Sequence, residues 1–124
     1  MNEELLPLRN YAHLGDAVWE VFVRGYTIRK TSNPQKLHKI TTDRVNAAFQ
    51  AEMLESMMSE LTEEEKELVR RARNLPIPVG RKNIQSIYRP ATAFEVLIGY
   101  WYLHDTKRLD YFYHTFKTTQ FFSD

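Results

Sequence analysis

Apolar side chains recur three or four positions apart along most of the chain, which is the spacing of an α-helix with one buried face. The first such stretch covers residues 11–28, and the most apolar one covers residues 91–103. A helix that is apolar nearly all round is expected at the centre of a fold. We find no alternating strand pattern of convincing length, so the sequence predicts an all-α protein.

Capping residues divide this pattern into separate helices. Asn33 is suited to cap a helix whose first residue is Pro34, because the N–H that proline lacks would be unpaired at that position anyway. We expect a further cap within residues 41–43, in a stripe of apolar positions that continues beyond them. Thr62 followed by Glu65 has the spacing of a capping box and predicts the start of another helix.

The C-terminal half is interrupted by proline and glycine. The helix that starts with the capping box should end near Asn74, and residues 75–83, with two prolines and a glycine, are predicted to form a loop. A last helix is expected over residues 107–116, and residues 118–124 are expected to fray. We predict one domain over residues 1–124 with a helical core over about 9–116, since this length is ordinary for a single domain.

Composition narrows the chemistry and the location. The chain has no cysteine, which excludes disulfides, thiol catalysis and cysteine metal sites. The sequence contains no run of about 18 apolar residues, which is the length needed to span a membrane. The N-terminal Met-Asn-Glu-Glu lacks the basic region of a signal peptide. We therefore expect a cytoplasmic protein without a membrane partner.

Charge is unevenly distributed, although the net charge is only +1. Residues 24–44 carry six lysines and arginines against one aspartate, and residues 68–94 carry six without any acid. Arginine guanidinium groups match phosphate oxygens in pairs. Two such clusters point to nucleic acid as a partner, the alternative being ordinary solvated helix faces.

Two carboxylates, Asp16 and Glu95, lie in strongly apolar helical segments, and each has a glycine within four residues. A carboxylate in such a helix is costly unless a cation pairs with it. Glycine inside a helix suggests that another helix or a ligand approaches closely. The acids either form salt bridges, for example with Arg24 or Arg89, or bind one Mg²⁺ together between packed helices, since hard oxygen ligands suit this ion.

Both acids lie in recognisable motifs. Residues 13–18, His-Leu-Gly-Asp-Ala-Val, resemble the ribonuclease III signature, whose Leu-Gly-Asp segment carries a catalytic aspartate. Residues 94–100, Phe-Glu-Val-Leu-Ile-Gly-Tyr, resemble that family's second acidic motif, which carries the catalytic glutamate. The chain is most similar to the Mini-ribonuclease III family, which lacks a double-stranded-RNA-binding domain, over about residues 9–110. The further segments that resemble this family are 37–39, 45–51, 61–74 and 88–95.

The resemblance implies a homodimer of ribonuclease III fold that cleaves double-stranded RNA with Mg²⁺ and leaves 5′-phosphate and 3′-hydroxyl ends. It implies that Asp16 and Glu95 are the catalytic and metal-binding residues and that they position the attacking water. The implied cellular substrate is the 23S ribosomal RNA precursor, with a ribosomal protein or the assembling large subunit as further candidate partners. The alternative function is a non-catalytic RNA-binding module in ribosome assembly.

The predicted site has fewer acidic residues than that of full-length ribonuclease III. Positions that are acidic there hold Arg9, Ala12 and Thr92 in this sequence, which leaves the number of metal ions open. Glu20 shares a helix face with Asp16 and is either an additional metal ligand or a surface residue.

Basic and polar residues outside the acid pair are candidates for RNA contact. The basic end of the helix that follows Thr62 suits RNA phosphates, although it would also complement a helix dipole. Ala72 stands there in place of the family's glycine, and we expect weaker RNA binding if that glycine supplies a positive φ. The alternatives are a helix cap for His38 and a buried main-chain partner for Gln50. The predicted RNA-binding residues are His38, Gln50, Arg71, Arg73, Asn74, Arg81, Lys82 and Arg89.

Overall fold

The computed structural model describes residues 5–78, 80, 84–118 and 122, and within these residues it has helices and no strand. The predicted all-α class is confirmed. None of the helices in this part of the chain is both long and apolar enough to cross a membrane. The elements are α1 (Leu8–Thr27), α2 (Pro34–Val45), α3 (Ala47–Met57), a short 3-10 turn (Met58–Glu60), α4 (Glu63–Arg73), α5 (Gln85–His104) and α6 (Thr106–Lys117).

Helix α5 is the centre of the fold, as its apolar sequence predicts. It packs against α1, α3, α4 and α6, and 11 of its 20 residues are buried. The helix begins at Gln85 rather than at the apolar run, and it contains Pro90. Residues 85–89 are exposed or half-buried, so they carry no apolar periodicity from which this first part of the helix could be predicted.

Helices α1 and α5 touch through two glycines. A β-carbon on Gly15 would overlap the carbonyl oxygen of Glu95 and lie 2.7 Å from the carbonyl carbon. A β-carbon on Gly99 would overlap the carbonyl oxygen of Tyr11 and lie 3.0 Å from the main-chain nitrogen of Gly15. The two backbones are therefore in direct contact, which a residue with a side chain would prevent. Because Asp16 follows Gly15, this contact also brings Asp16 to the level of Glu95.

Two predicted caps are confirmed. The side chain of Asn33 accepts hydrogen bonds from the main-chain N–H groups of Gln35 and Lys36 at 2.9 and 3.0 Å, so that it satisfies the free amides at the start of α2. Thr62 and Glu65 exchange side-chain and main-chain hydrogen bonds at the start of α4, as in a capping box. Helix α4 ends at Arg73, close to its predicted end.

The predicted cap within residues 41–43 is wrong. The side chain of Thr41 is buried, and its hydroxyl pairs with that of Thr27 on α1 at 2.8 Å, so that it serves helix packing and α2 continues through it. The break comes at Asn46 instead. Its side chain accepts a hydrogen bond from the main-chain N–H of Phe49 at 2.8 Å and caps α3.

Aromatic rings fill the space beside α1 and α5. Trp19 is fully buried, and its ring meets Phe94, Phe116 and Phe122 edge to face. Phe122 is only 2% exposed, so the structure differs from the predicted fraying of residues 118–124 at this position, because its ring packs into the core. Residues 119–121, 123 and 124 lie outside the described part of the chain.

A nearly buried ion pair joins α4 to α5 and α6. The carboxylate of Glu65 accepts hydrogen bonds from Nε and Nη2 of Arg108 at 2.8 and 2.7 Å and from Nε1 of Trp101 at 3.0 Å. The same carboxylate accepts from the main-chain N–H of Thr62 at 2.8 Å. Although burial alone would raise the pKa of Glu65, these hydrogen bonds lower it, so the carboxylate is charged and holds the three helices together.

Gly99→Ala should destabilise the protein by about 2 kcal/mol or more, because the new β-carbon meets main-chain atoms of α1 that cannot move independently. Gly25 is the matched control, since it also lies within a helix but has nothing within 4 Å of an added β-carbon. Gly25→Ala should stabilise the protein by about 1 kcal/mol through helix propensity. Chemical denaturation measures the free energy of unfolding of each variant. Similar effects at the two positions would contradict the backbone contact.

Candidate active site

A cavity of about 370 Å³ lies where α1, α3 and α5 meet. Asp16 of α1 and Glu95 of α5 both line it, and Asp16 is exposed whereas Glu95 is half-buried. The structure therefore brings together the two acids that the motifs singled out. The other residues that line the cavity are Arg9, Ala12, His13, Val45, Ala47, Gln50, Tyr88, Ala91 and Thr92.

The two carboxyl groups interact directly. Burial raises the pKa of Glu95 to about 8, and a hydrogen bond with Asp16 and the charge of Asp16 contribute to the rise. The amide of Gln50 acts in the opposite direction, since its Nε2 donates a hydrogen bond to Oε2 of Glu95 at 3.4 Å. At neutral pH the pair without a cation therefore favours a protonated Glu95.

Within the part of the chain that the structure describes, the two arginines proposed as salt-bridge partners are bonded elsewhere. Arg24 donates from Nε and Nη2 to the carboxylate of Glu20 at 2.9 and 2.7 Å. Arg89 donates to the main-chain carbonyls of Arg73 at 2.5 Å and Leu75 at 3.3 Å, at the end of α4. Both arginines are thus engaged elsewhere, and neither compensates the acid pair.

The donor set suits a hard divalent cation. Mg²⁺ prefers oxygen ligands, keeps several waters and needs only one or two protein carboxylates. A cation would also favour the ionised form of both acids, which reverses the effect of their mutual repulsion. Within the ranges that the structure describes, no third Asp, Glu or His completes a ligand cluster. Glu20 does not line the cavity and is paired with Arg24, which leaves Asp16 and Glu95 as the residues that could hold the metal.

Comparison with known proteins agrees with the motifs. The chain matches the ribonuclease III domain family over residues 9–106. It is 41% identical to Mini-ribonuclease 3 of Gloeobacter violaceus over 109 residues, and this matched region covers 88% of this chain and 81% of the relative. It is 46% identical to Mini-ribonuclease 3 of Brevibacillus brevis over 94 residues, and this matched region covers 74% of this chain and 70% of the relative.

The chain belongs to the Mini-ribonuclease III family. The resemblance of its motifs is thereby confirmed, and the family consists of ribonuclease III-type endoribonucleases, which are hydrolases. The fold agrees as well: the crystal structure of a Fusobacterium nucleatum protein superposes with a TM-score of 0.75 at 30% identity, covering 90% of this chain and 91% of that one.

In this Mini-ribonuclease III chain two contacts connect the end of α4 and the residues after it to the helices that form the cavity. Arg89 of α5 binds the main chain at the end of α4, and Arg9 of α1, which lines the cavity, donates to the carbonyl of Pro76. Ala72 is buried in the helix, and none of the non-glycine residues in the described ranges has a positive φ, so the replacement of the family's glycine causes no backbone strain. Three of the predicted RNA-binding residues are exposed at this end, namely Arg71, Arg73 and Asn74.

The other predicted RNA-binding residues lie in different settings. His38 is exposed on α2, as an RNA contact requires. Gln50 is only 3% exposed and is bonded to an acid of the pair, so the structure places it differently from the predicted RNA contact. Arg89 is half-buried and caps the end of α4. Arg81 and Lys82 lie outside the described residues.

Several residues that line the cavity were not among the predicted site residues, and two of them are Arg9 and Tyr88. Arg9 and Tyr88 each lie two helical turns before an acid of the pair, Asp16 and Glu95 respectively, and so share its helix face. Helical spacing from the acids is therefore the signal that could have identified both.

The stability of the metal-free protein should fall as the pH rises, in a way that depends on Glu95. Its folded pKa of about 8 lies above the ordinary 4.5, so the folded state binds the proton more tightly than the unfolded state does. The resulting stabilisation is fully present below pH 4.5 and is lost as the pH approaches 8. In EDTA, the melting temperature of the wild type should therefore fall more steeply over this range than that of Glu95→Gln. Parallel profiles would show that the pKa is not raised.

Proposed function

We propose that this chain is a Mg²⁺-dependent endoribonuclease of double-stranded RNA, with Asp16 and Glu95 as its catalytic residues. The observation that carries the proposal is the pair of carboxyl groups in one cavity, in a chain of this family. A non-catalytic RNA-binding module is the alternative, but it would have no use for two adjacent carboxylates that destabilise each other and repel phosphate.

The chain's own residues would hold the metal and orient the reactants. Asp16 and Glu95 would bind the cation from two different helices. When bound, Mg²⁺ would supply Lewis-acid activation of the water and the phosphate group. Asp16 is the more exposed acid and would lie nearer to the bound RNA. Glu95 is half-buried and accepts a hydrogen bond from the amide of Gln50. Water would add at phosphorus with loss of a proton, the bond from phosphorus to O3′ would break, and O3′ would take up a proton, which leaves 5′-phosphate and 3′-hydroxyl ends.

The RNA would lie over the cavity between two sets of exposed groups. On one side is the basic end of α4, with Arg71 and Arg73. On the other is His38, which lies two turns before Val45 on the same face of α2, and Val45 lines the cavity. Such an arrangement suits A-form duplexes, which proteins recognise mainly through phosphates and 2′-hydroxyl groups.

The cellular substrate that we propose is the 23S ribosomal RNA precursor, cut in the cytoplasm. Support comes from the ordered motifs of the sequence and from the similarity to proteins named Mini-ribonuclease 3. An assembling large subunit or one of its proteins is the candidate that would present this RNA.

A homodimer would form through the apolar face between α1 and α6. A groove of about 440 Å³ lies there, and on its rim Val21 is 72% and Tyr102 50% exposed. Exposed apolar patches of this kind commonly mark protein interfaces. The residues that line the groove include Leu14 and Ala17, which flank Asp16 in the sequence. A second copy on this face would therefore bring two active sites close together, as cutting both strands of a duplex requires.

Asp16→Asn and Glu95→Gln should each reduce cleavage of a labelled RNA duplex by about 100-fold or more, because each removes a charged oxygen ligand and proton acceptor. Duplex binding should persist in both. Glu20→Gln is the matched control, since it removes a carboxylate of the same helix that lies outside the cavity, and it should keep most of the activity.

Gel assays with Mg²⁺ and with EDTA measure these effects. Unchanged cleavage by Asp16→Asn would contradict the assigned site. Tight binding of duplexes without any cleavage by the wild type would favour the non-catalytic module instead.

Val21→Glu should convert the dimer into the 14.7 kDa monomer, because it places a charge on the apolar face. Val21 is largely exposed, so the fold should tolerate the change. Ile28→Glu is the control: Ile28 is 60% exposed just after α1 but does not line the groove, and it should leave the dimer intact. Sedimentation at micromolar concentration distinguishes the states, and a monomeric wild type would contradict the paired arrangement.

A further inference from the structure

Gln50 is a polar side chain on the buried face of α3. It is 3% exposed, and the other buried residues of this helix are Met53, Leu54 and Met57. A buried amide without a partner costs on the order of 1–3 kcal/mol, so a purely structural position of this kind favours an apolar residue of the same size. The presence of an amide here therefore calls for a polar partner.

That partner is Glu95, whose Oε2 accepts a hydrogen bond from Nε2 of Gln50 at 3.4 Å. Glu95 lies on α5, and the polar contacts that it makes with described residues come from other helices, Asp16 from α1 and Gln50 from α3. Three of the residues that line the cavity are alanines, which have no side-chain group to orient a carboxylate. Gln50 thus provides a neutral donor to Glu95, whereas Asp16 provides a competing acid.

The main chain at Gln50 is held in place by hydrogen bonds at the start of α3. Its main-chain N–H donates to the carbonyl of Asn46 at 3.1 Å, in the first turn of α3, and the side chain of Asn46 caps this turn through Phe49. Helix α3 also packs directly on α5. The amide therefore extends from a capped helix start that cannot shift without disturbing the core.

We propose that Gln50 is a positioning residue that holds the Glu95 carboxylate in the orientation in which it shares the cavity with Asp16, and thereby strengthens divalent-cation binding by the pair. This inference rests on the proposed function. Side chains that orient metal ligands typically contribute roughly 10- to 100-fold to metal affinity. The role differs from direct RNA contact, which the sequence predicted for Gln50, because the side chain faces an acid instead of solvent.

Mg²⁺ alone is a sufficient probe of this role. Its affinity follows from the rise in melting temperature of the full chain with Mg²⁺ concentration. Gln50→Met removes the amide but keeps the length of the side chain, and it should weaken Mg²⁺ binding roughly 10-fold or more. Gln50→Asn retracts the amide by one methylene and should show a similar loss of Mg²⁺ affinity. This second variant keeps the test decisive if the methionine variant does not fold. Met57→Leu changes a buried residue of the same helix and should not alter the affinity.

Kinetics separate positioning from RNA contact. In Gln50→Met, kcat on a labelled duplex should fall at low Mg²⁺ and recover towards the wild-type value as Mg²⁺ is raised, with KM for the RNA unchanged. A raised KM at unchanged Mg²⁺ affinity would overturn the proposal in favour of RNA contact. Equal Mg²⁺ affinity in the wild type and both variants would overturn the positioning role alone, whereas a wild type that binds no Mg²⁺ would overturn the proposed function.

Discussion

The backbone contact between α1 and α5 determines both the packing of the core and the position of the acids. At Gly15 and Gly99 the two helices lie so close that a β-carbon on either residue would overlap main-chain atoms of the other helix. Asp16 directly follows one of these glycines, and the carbonyl group that the other helix presents there belongs to Glu95. A side chain at Gly15 or Gly99 would therefore push the two helices apart. It would separate the carboxyl groups and also loosen the packing of the core.

This arrangement has an electrostatic cost. Burial and the neighbouring Asp16 raise the pKa of Glu95 to about 8, so without a cation the pair is less stable when both acids are charged. Elsewhere in the same fold Glu65 is also buried, yet its pKa is lowered because Arg108 and Thr62 supply donors. The contrast shows that this fold can compensate a buried carboxylate with an arginine. At Glu95 the donor that the described residues provide is the neutral amide of Gln50, which leaves room for a cation.

Local patterns in the sequence were sufficient for most of the helices. Asn33 and Thr62 cap their own helices through neighbours within three residues, so their roles can be read locally. Thr41 has the same capping chemistry, but its hydroxyl binds Thr27 on another helix, a partner that no local rule identifies. The apolar pattern predicts a shorter α5 than the structure has, because the first residues of this helix are not buried.

The acid pair could be predicted from its motifs, but its surroundings could not. The sequence predicts an RNA contact for Gln50 but not its hydrogen bond to Glu95, which is distant in sequence and adjacent only after α3 packs on α5. Arg89 is among the predicted RNA-binding residues, and the structure shows in addition that its guanidinium caps α4. In both cases tertiary packing decides the role of a polar side chain.

We infer that the crossing of α1 and α5 creates a cation site from Asp16 and Glu95. Crystals of the wild-type protein grown with Mn²⁺, with data collected at the manganese absorption edge, would test this site directly. We expect an anomalous peak within ligand distance of both carboxylates, with the amide of Gln50 bonded to Glu95. A manganese ion bound elsewhere, or a structure in which these two side chains do not share one cavity, would contradict it.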